Sequence, residues 1–404
     1  MNTVQITNDG HANGVRQGRS MNPWMISRLT EPTRWVECLQ QAGDYYSCLP
    51  KENLIASLKQ WSRDDALAYA QWLHRQQIDA LPDLARFPEL RGMDQYLDDE
   101  VRGIAEGAET TVAEVCLNRY WREVLWHACG QPPQRPTANC SEIVLFDAAG
   151  DPIIGKGWDD IHTWYDPKDF QLPPSTFEMS LTQQMQGRGY SSVGPVNEKG
   201  VAWEQGGGPL YVELWPDDIR FPVPLVDILL RRCATTDEVV ELMTRYADYW
   251  GPCNAVAVDS EGNTALFEKS RTRCNIVRGN REPVFTTYGG CESRDLQELT
   301  DTASDLFRFY RRRMERMAKT VERDRGRHTV QTMWDMLLDH DPDGIGSTCQ
   351  HLDNLPPGVD LFCMGAIVTA VGEGRCLRRT IFYEGDQIHY ACQCPASEGR
   401  FHWP

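Results

Sequence analysis

The chain has no run approaching the roughly 18 uninterrupted apolar residues that a membrane-crossing helix needs, so no membrane partner is expected. It also lacks a basic excess: 41 lysines and arginines stand against 58 aspartates and glutamates, a net charge of −17 with a pI near 5.0. That balance repels polyanions and argues against nucleic acid or an anionic lipid surface as partner. Met1 to Ser20 contains no apolar signal core, so secretion by that route is not expected. The 14 cysteines are scattered, and their close pair, Cys392-Gln393-Cys394, has one intervening residue, which fits no usual zinc spacing. No metal and no cofactor are therefore expected, and reduced thiols in a cytoplasmic protein are. Internal repeats and low-complexity linkers are missing too.

What the chain does have is enough apolar material for a packed core, 41% hydrophobic residues with 13 tryptophans over 404 positions. Residues 1–20 are rich in Asn, Gly and Gln and are expected to be disordered. From Trp35 to Leu97 the apolar spacing is helical, and Leu97–His127 reads as further helix, broken near Thr110 and Thr111, either of which can cap the next one. After residue 140 the pattern turns to strands: Phe177–Leu181, Gly189–Val193 and Val201–Trp203 alternate with turns. Leu225–Leu230 and Asp237–Tyr246 read as a helical pair with a cap at Thr235-Thr236, and Ala255–Val258 and Thr264–Phe267 as a hairpin. Leu296 to Asp339 is a charged helical block whose Arg311-Arg312-Arg313 run is expected to be a solvated face. Three final strands are expected over Met364–Ala370, Cys376–Phe382 and Ile388–Ala391.

One stretch organises the rest. Gln131-Pro132-Pro133-Gln134-Arg135-Pro136 ends the preceding helix. Behind it, Ile143–Phe146 and Pro152–Ile154 flank Asp147-Ala148-Ala149-Gly150 and read as a β-hairpin. Cys140 stands at the mouth of the first strand, after Thr137-Ala138-Asn139. A thiol there, beside a scissile bond, suits a nucleophile released by self-cleavage; burial as a small hydrophobe is the commoner fate of a cysteine.

Cys140, a short strand, a Gly turn, a second strand and Gly155-Lys156-Gly157-Trp158-Asp159 resemble the start of the N-terminal-nucleophile (Ntn) hydrolases. Four other segments agree in order: Gly103–Ala108 with Leu117–Glu123, Val196–Ala202, Ala257–Asn263 ending at Glu268, and Ser347–His351. Together, over about residues 100–390, they are similar to the acyl-coenzyme A:6-aminopenicillanate (isopenicillin N) acyltransferase-like family, related to penicillin V acylase and bile-salt hydrolase. The resemblance implies an α+β fold, a four-layer αββα sandwich with a helical N-terminal pro-region. The domains would be a disordered tail at 1–20, a pro-region or light chain at 21–139, and a catalytic heavy chain from 140 to 404.

The implied chemistry is thiol catalysis with the nucleophile's own α-amine as base, its unperturbed pKa near 8, through a thioester acyl-enzyme. Cleavage between Asn139 and Cys140 would free that amine. By resemblance, Asp159 orients it, with Asp160 the neighbouring alternative, and Lys156 stands where bile-salt hydrolases carry arginine. A lysine keeps the charge but loses the bidentate fork. Gly207 falls where relatives supply an oxyanion asparagine, leaving only a backbone N–H. A second expected asparagine is missing from Phe285–Gly289, where Thr287 or Tyr288 offers a hydroxyl, and Asn254 is a substitute donor. Gln350 replaces a family arginine before His351. Trp158, Trp164-Tyr165, Trp203, Tyr211 and Trp215 are candidate walls of a bulky acyl pocket. The expected partner is a small N-acyl amide or dipeptide-like metabolite, with an acyl-thioester donor if the reaction is transfer. Light and heavy chains would stay associated after cleavage, and a homo-oligomer is compatible. The alternatives are an unprocessed, catalytically silent binding protein of the same fold and, without any recognised cysteine spacing, a thiol-redox or metal protein.

Overall fold

Glycine ordinarily weakens a helix by about 1 kcal/mol relative to alanine, yet three glycines build the first one here. The computed structural model describes residues 9–20, 61–79, 91–128, 139–161, 177–180, 196–197, 199–207, 229, 232–247, 253–270, 273–287, 296, 305–340, 346–351, 361–372, 375–380, 382–384, 387–389 and 392. These fall into two units, the helices between residues 10 and 128 and everything described from 139 onward.

The first unit holds α1 (Gly10–Ser20), α2 (Arg63–Asp79), α3 (Met93–Gly107) and α4 (Val112–Ala128). Disorder was expected over residues 1–20; residues 10–20 are instead helical. Asp9 Oδ1 starts the helix by accepting from Ala12 N at 2.9 Å. Gly10, Gly14 and Gly18 recur every four residues on one face and meet Gly103 and Gly107 of α3. A Cβ at Gly14 would lie 2.1 Å from the Glu100 carbonyl oxygen, and one at Gly103 2.2 Å from that of His11. Contact between two bare backbones offsets the weak propensity of glycine. Thr111 caps α4 reciprocally with Glu114, amide to side chain at 3.2 Å in both directions. Leu73, Val101, Ile104, Leu117 and Val124 form the core of this unit.

The second unit is built on two antiparallel sheets and a two-stranded ribbon. The larger sheet has the order β3-β10-β9-β2-β1-β8, from β1 (Asn139–Phe146), β2 (Pro152–Ile161), β3 (Phe177–Ser180), β8 (Val284–Thr287), β9 (Leu361–Ala370) and β10 (Arg375–Thr380). The smaller runs in chain order through β4 (Ala202–Gly207), β5 (Cys253–Val258), β6 (Asn263–Lys269) and β7 (Cys274–Asn280), and β11 (Phe382–Glu384) pairs with β12 (Gln387–His389). Three turns use one device. Asp147, Asn197 and Asp259 each accept two amide N–H groups, from residues two and four ahead, at 2.8–3.0 Å. The glycine three residues on (Gly150, Gly200, Gly262) takes the left-handed φ of 85–86° that closes each turn.

Side chains alternate across β1. Ile143 and Leu145 pack with Met317, Met333, Trp334 and Leu337 of the helices α6 (Asp305–Arg323) and α7 (Val330–Leu337). Val144 and Phe146 face the smaller sheet, against Ala202, Val256, Val258 and Leu266. On the smaller sheet, α5 (Thr236–Arg245) buries Val239, Val240, Leu242 and Met243; Thr235 caps it, accepting from Glu238 N at 3.2 Å. The hairpins and the Thr235 cap agree with the sequence reading, whereas β7 and β8 carried no strand signal there. The strand expected over Gly189–Val193 lies outside the described residues.

The backbone contact of α1 with α3 makes Gly14→Ala destabilising. Overpacking against a carbonyl costs about 1–3 kcal/mol, more than the up to about 1 kcal/mol that alanine gains in helix propensity. Chemical denaturation should register the loss, and a variant more stable than the parent would contradict the packing.

Candidate active site

The space between the two sheets is apolar at one end and polar at the other, because each strand that lines it changes character along its length. On β1, Phe146 and Val144 give way to Glu142 and Cys140; on β2, Ile154 gives way to Lys156. On the smaller sheet, Ala202 is followed by Glu204 and Gly206, Val258 and Val256 are preceded by Asn254, and Leu266 is followed by Glu268. All of these polar side chains are buried, and Cys140 itself is 3% exposed. Gly206 is the point of closest approach: a Cβ there would stand 2.8 Å from that of Cys140 and 2.3 Å from Glu142 Oε1. Only glycine lets β4 reach the thiol.

Lys156 is opposite Glu142 in register and donates to the Gln205 carbonyl at 2.5 Å. Burial opposes its charge, but Cys140, Glu204 and Glu142 outweigh that and raise its pKa. Burial pushes Glu204 up to about 7, with Lys156 pulling back. Glu142 lies well above the carboxylate range, chiefly through burial, and neither of its oxygens has a hydrogen-bond partner among the described residues. Burial also pushes the Cys140 thiol up to about 12, against the pull of Lys156. The intact chain therefore keeps this thiol protonated at neutral pH, and thiolate is the nucleophilic form.

The opposite face of the larger sheet holds a second network. A register shift against β9 between Trp158 and Asp159 accompanies the turn of Asp159 toward α6. There Arg313, fully buried, donates from one terminal nitrogen to Asp159 Oδ2 at 2.8 Å and to Ser141 Oγ at 3.0 Å. Its Nε donates to the Ser347 carbonyl at 2.9 Å, and its guanidinium lies over Tyr310, 4.7 Å from the ring centre. Ser141 Oγ donates to Thr287 Oγ1 at 3.1 Å, which donates to the Cys140 carbonyl at 3.0 Å. Asn254 Nδ2 donates to the Thr287 carbonyl at 3.2 Å. One directed chain of hydrogen bonds thus runs from the arginine to the backbone of the candidate nucleophile.

Of the residues singled out in the sequence, Cys140, Lys156 and Asn254 share the polar end of the inter-sheet space. The Asp159 carboxylate lies with Arg313; its charge helps raise the Cys140 thiol, and its backbone amide pulls the thiol back by less. Asn139 is opposite Asp159 in register, and Gly207 ends β4 opposite Cys253. The Thr287 hydroxyl is taken up by Ser141 and Cys140. Gln350 is buried and donates to the Tyr310 hydroxyl at 3.2 Å. Tyr288, Trp164, Tyr165, Tyr211 and Trp215 lie outside the described residues, as does the Asp160 side chain. Trp203 stacks obliquely on Phe267 at 5.1 Å.

The solvated face expected for Arg311-Arg312-Arg313 is corrected: Arg311 is exposed, but Arg313 is buried. The signal was its phase on the helix, three residues after Tyr310 and four before Met317, both core residues. Glu142 and Glu204 were also missed, although alternation places them in line with buried apolar neighbours. Donors able to hold a cation converge elsewhere, at His340, Cys349, His351 and Cys392.

No protein-family model matches the chain, and no curated protein matches it. Among solved structures, a variant of conjugated bile acid hydrolase from Clostridium perfringens is similar at 14% identity and a TM-score of 0.35. The match covers 62% of this chain and 91% of that one. A second mutant of the same enzyme is similar at 13% identity and a TM-score of 0.34, with the same coverage. At such TM-scores neither likeness bears on fold or function.

Removing Arg313 strands a buried carboxylate, so Arg313→Met should cost about 3–5 kcal/mol, and pairing it with Asp159→Asn should recover part of that. A double variant no more stable than the single one would contradict the pairing. Glu204 makes a separate pH prediction. Its folded pKa is raised from the ordinary 4.5 to about 7, so the folded state holds a proton that the unfolded chain releases, and stability falls as pH rises between those values. Glu204→Gln should flatten that slope in denaturant titrations across this range; an unchanged slope would rule Glu204 out as its source.

Proposed function

We propose that this chain is an N-terminal-nucleophile cysteine amidase or acyltransferase that matures by breaking its own backbone between Asn139 and Cys140. The carrying observation is the place of Cys140 at the head of an interior strand, its thiol beside Lys156 and its carbonyl held through Thr287, Ser141 and Arg313. In this reading the helices α6 and α7, the two sheets and α5 form the αββα order of such enzymes. Residues 21–139 are then the pro-region or light chain and 140–404 the heavy chain.

Maturation begins when Sγ adds to the Asn139 carbonyl, the thiol proton passing to the Cys140 nitrogen as the C–N bond breaks. That shift frees the α-amine of Cys140; water then hydrolyses the thioester, leaving a carboxylate on Asn139 and returning the Cys140 thiol. In the intact chain burial keeps the thiol protonated, and no base on the same residue is present to activate it toward a substrate. The liberated amine, with an ordinary pKa near 8, supplies a base on the same residue, which is how the chain break switches on the nucleophile. In turnover the thiol, deprotonated by that amine, attacks a small N-acyl amide. The amine leaving group departs with the proton, and the acyl group remains as a thioester. Water completes hydrolysis; an incoming amine or thiol completes transfer.

Lys156 holds a positive charge close to the reacting sulfur and helps stabilise the thiolate. Asn254 and the Gly206–Gly207 backbone line the position where an oxyanion would develop. Asp159, held by Arg313, is a positioning residue for the strand end that carries the new amine.

The completeness of the Cys140 burial favours a second reading, an unprocessed binding protein of the same fold. Denaturing electrophoresis and intact mass separate the two: the enzyme yields a fragment beginning Cys-Ser-Glu-Ile, the binder one uncut chain. Cys140→Ala should abolish both cleavage and hydrolysis of N-acyl amides while leaving the unfolding midpoint close to that of the parent. Cys233→Ala should leave both activities within a few-fold. An active enzyme that remains one intact chain would refute self-processing.

A further inference from the structure

Cysteine spacing along the chain gives no reason to expect a metal. Four side chains from three separate stretches nevertheless meet at one point: His340 just after α7, Cys349 and His351 on the loop before β9, and Cys392 after β12. Their nearest donor atoms all lie within 4.8 Å of one another. His351 Nε2 is 3.1 Å from His340 Nε2, 3.2 Å from Cys392 Sγ and 3.6 Å from Cys349 Sγ.

We propose that His340, Cys349, His351 and Cys392 form a structural Cys2His2 zinc site, independent of the amidase reading. A single imidazole nitrogen carries either one proton or one lone pair, so it cannot form good hydrogen bonds to three neighbours at once. A cation at the centre resolves this by taking one lone pair from each of the four atoms. Zinc with bonds of about 2.0–2.1 Å to nitrogen and 2.3 Å to sulfur sets tetrahedron edges of about 3.3 Å N–N, 3.6 Å N–S and 3.8 Å S–S. The distances around His351 lie within about 0.4 Å of these edges, and no separation in the group exceeds 4.8 Å. Two nitrogens and two thiolates select zinc over harder cations. Both cysteines would coordinate as thiolates. Four protein ligands leave no open position, so the site is structural and not catalytic.

The surrounding framework is built to hold these ligands. Arg316 of α6 binds Asp339 and donates to the His340 carbonyl at 3.2 Å. The Asp339 carbonyl accepts from the amides of Thr348 and Cys349, each at 3.1 Å. The ligand loop is also tied to Arg313 through Ser347 and to Tyr310 through Gln350. Zinc would therefore brace the loop against which the buried arginine is set.

The test uses the full chain purified under reducing conditions. Elemental analysis should find one zinc per chain, and Co2+ exchanged into the site should show tetrahedral ligand-field bands with thiolate charge transfer. His340→Ala and Cys392→Ser, both at partly exposed positions, should lower zinc affinity or occupancy by about 10-fold or more, whereas Cys233→Ser should not. Chelation of the parent protein should lower its unfolding midpoint and expose Cys349 and Cys392 to alkylation. If the variants do not fold, native mass spectrometry of the parent with and without chelator decides the matter alone. A folded parent that takes up neither Zn2+ nor Co2+ would overturn the proposal. So would a Cys349–Cys392 disulfide in the native protein, or undiminished zinc in both ligand variants.

Discussion

The buried ion pair between Arg313 and Asp159 ties the second unit together. It joins α6 to β2, reaches β1 through Ser141, and holds the loop before β9 through the Ser347 carbonyl. Transferring two charges out of water costs several kcal/mol for each ion, and attraction alone rarely recovers it. Here the guanidinium has further acceptors and an aromatic face over Tyr310, which supplies some of what water would have given. The return is specificity of position: one terminal nitrogen of a rigid planar guanidinium fixes where Asp159 and Ser141 stand.

The other face of the sheet has the opposite problem. Lys156 is the main cation acting on Glu142, Glu204 and the Cys140 thiol, with a weaker pull from Arg313 on Glu142, and this charge cannot neutralise them all. Burial settles the imbalance by protonation, holding Glu142 and the thiol neutral and raising Glu204 toward neutrality. Such groups are poised to exchange protons when the local charge changes. The cost in stability is borne at one end of the inter-sheet space, while Val144, Phe146, Val256 and Leu266 provide cohesion at the other.

Some features that made the chain resemble a known family prove to be turn chemistry. Asn197 to Gly200 and Asp259 to Gly262 repeat the device seen at Asp147 to Gly150, an acceptor side chain followed by a left-handed glycine. Any tight hairpin benefits from that pattern, so these motifs report backbone geometry and say little about chemistry. Cys140, Lys156 and Asn254 carry the functional reading, and the structure gathers them into one buried space.

Short-range pattern alone was enough to read the hairpins closed at Gly150 and Gly262 and helix caps near Thr110-Thr111 and Thr235-Thr236. Each depends on residues within a few positions of one another, where side-chain period and turn geometry act directly. The pairing of Arg313 with Asp159, 154 positions away, comes from the folded arrangement. That arrangement alone laid the glycines of α1 on those of α3 in the first unit, and brought His340, Cys349, His351 and Cys392 to a common point. Ion pairs, backbone contacts and ligand sets are made across space between separate elements. Their chemistry places no constraint on spacing along the chain, and so leaves no local pattern to read.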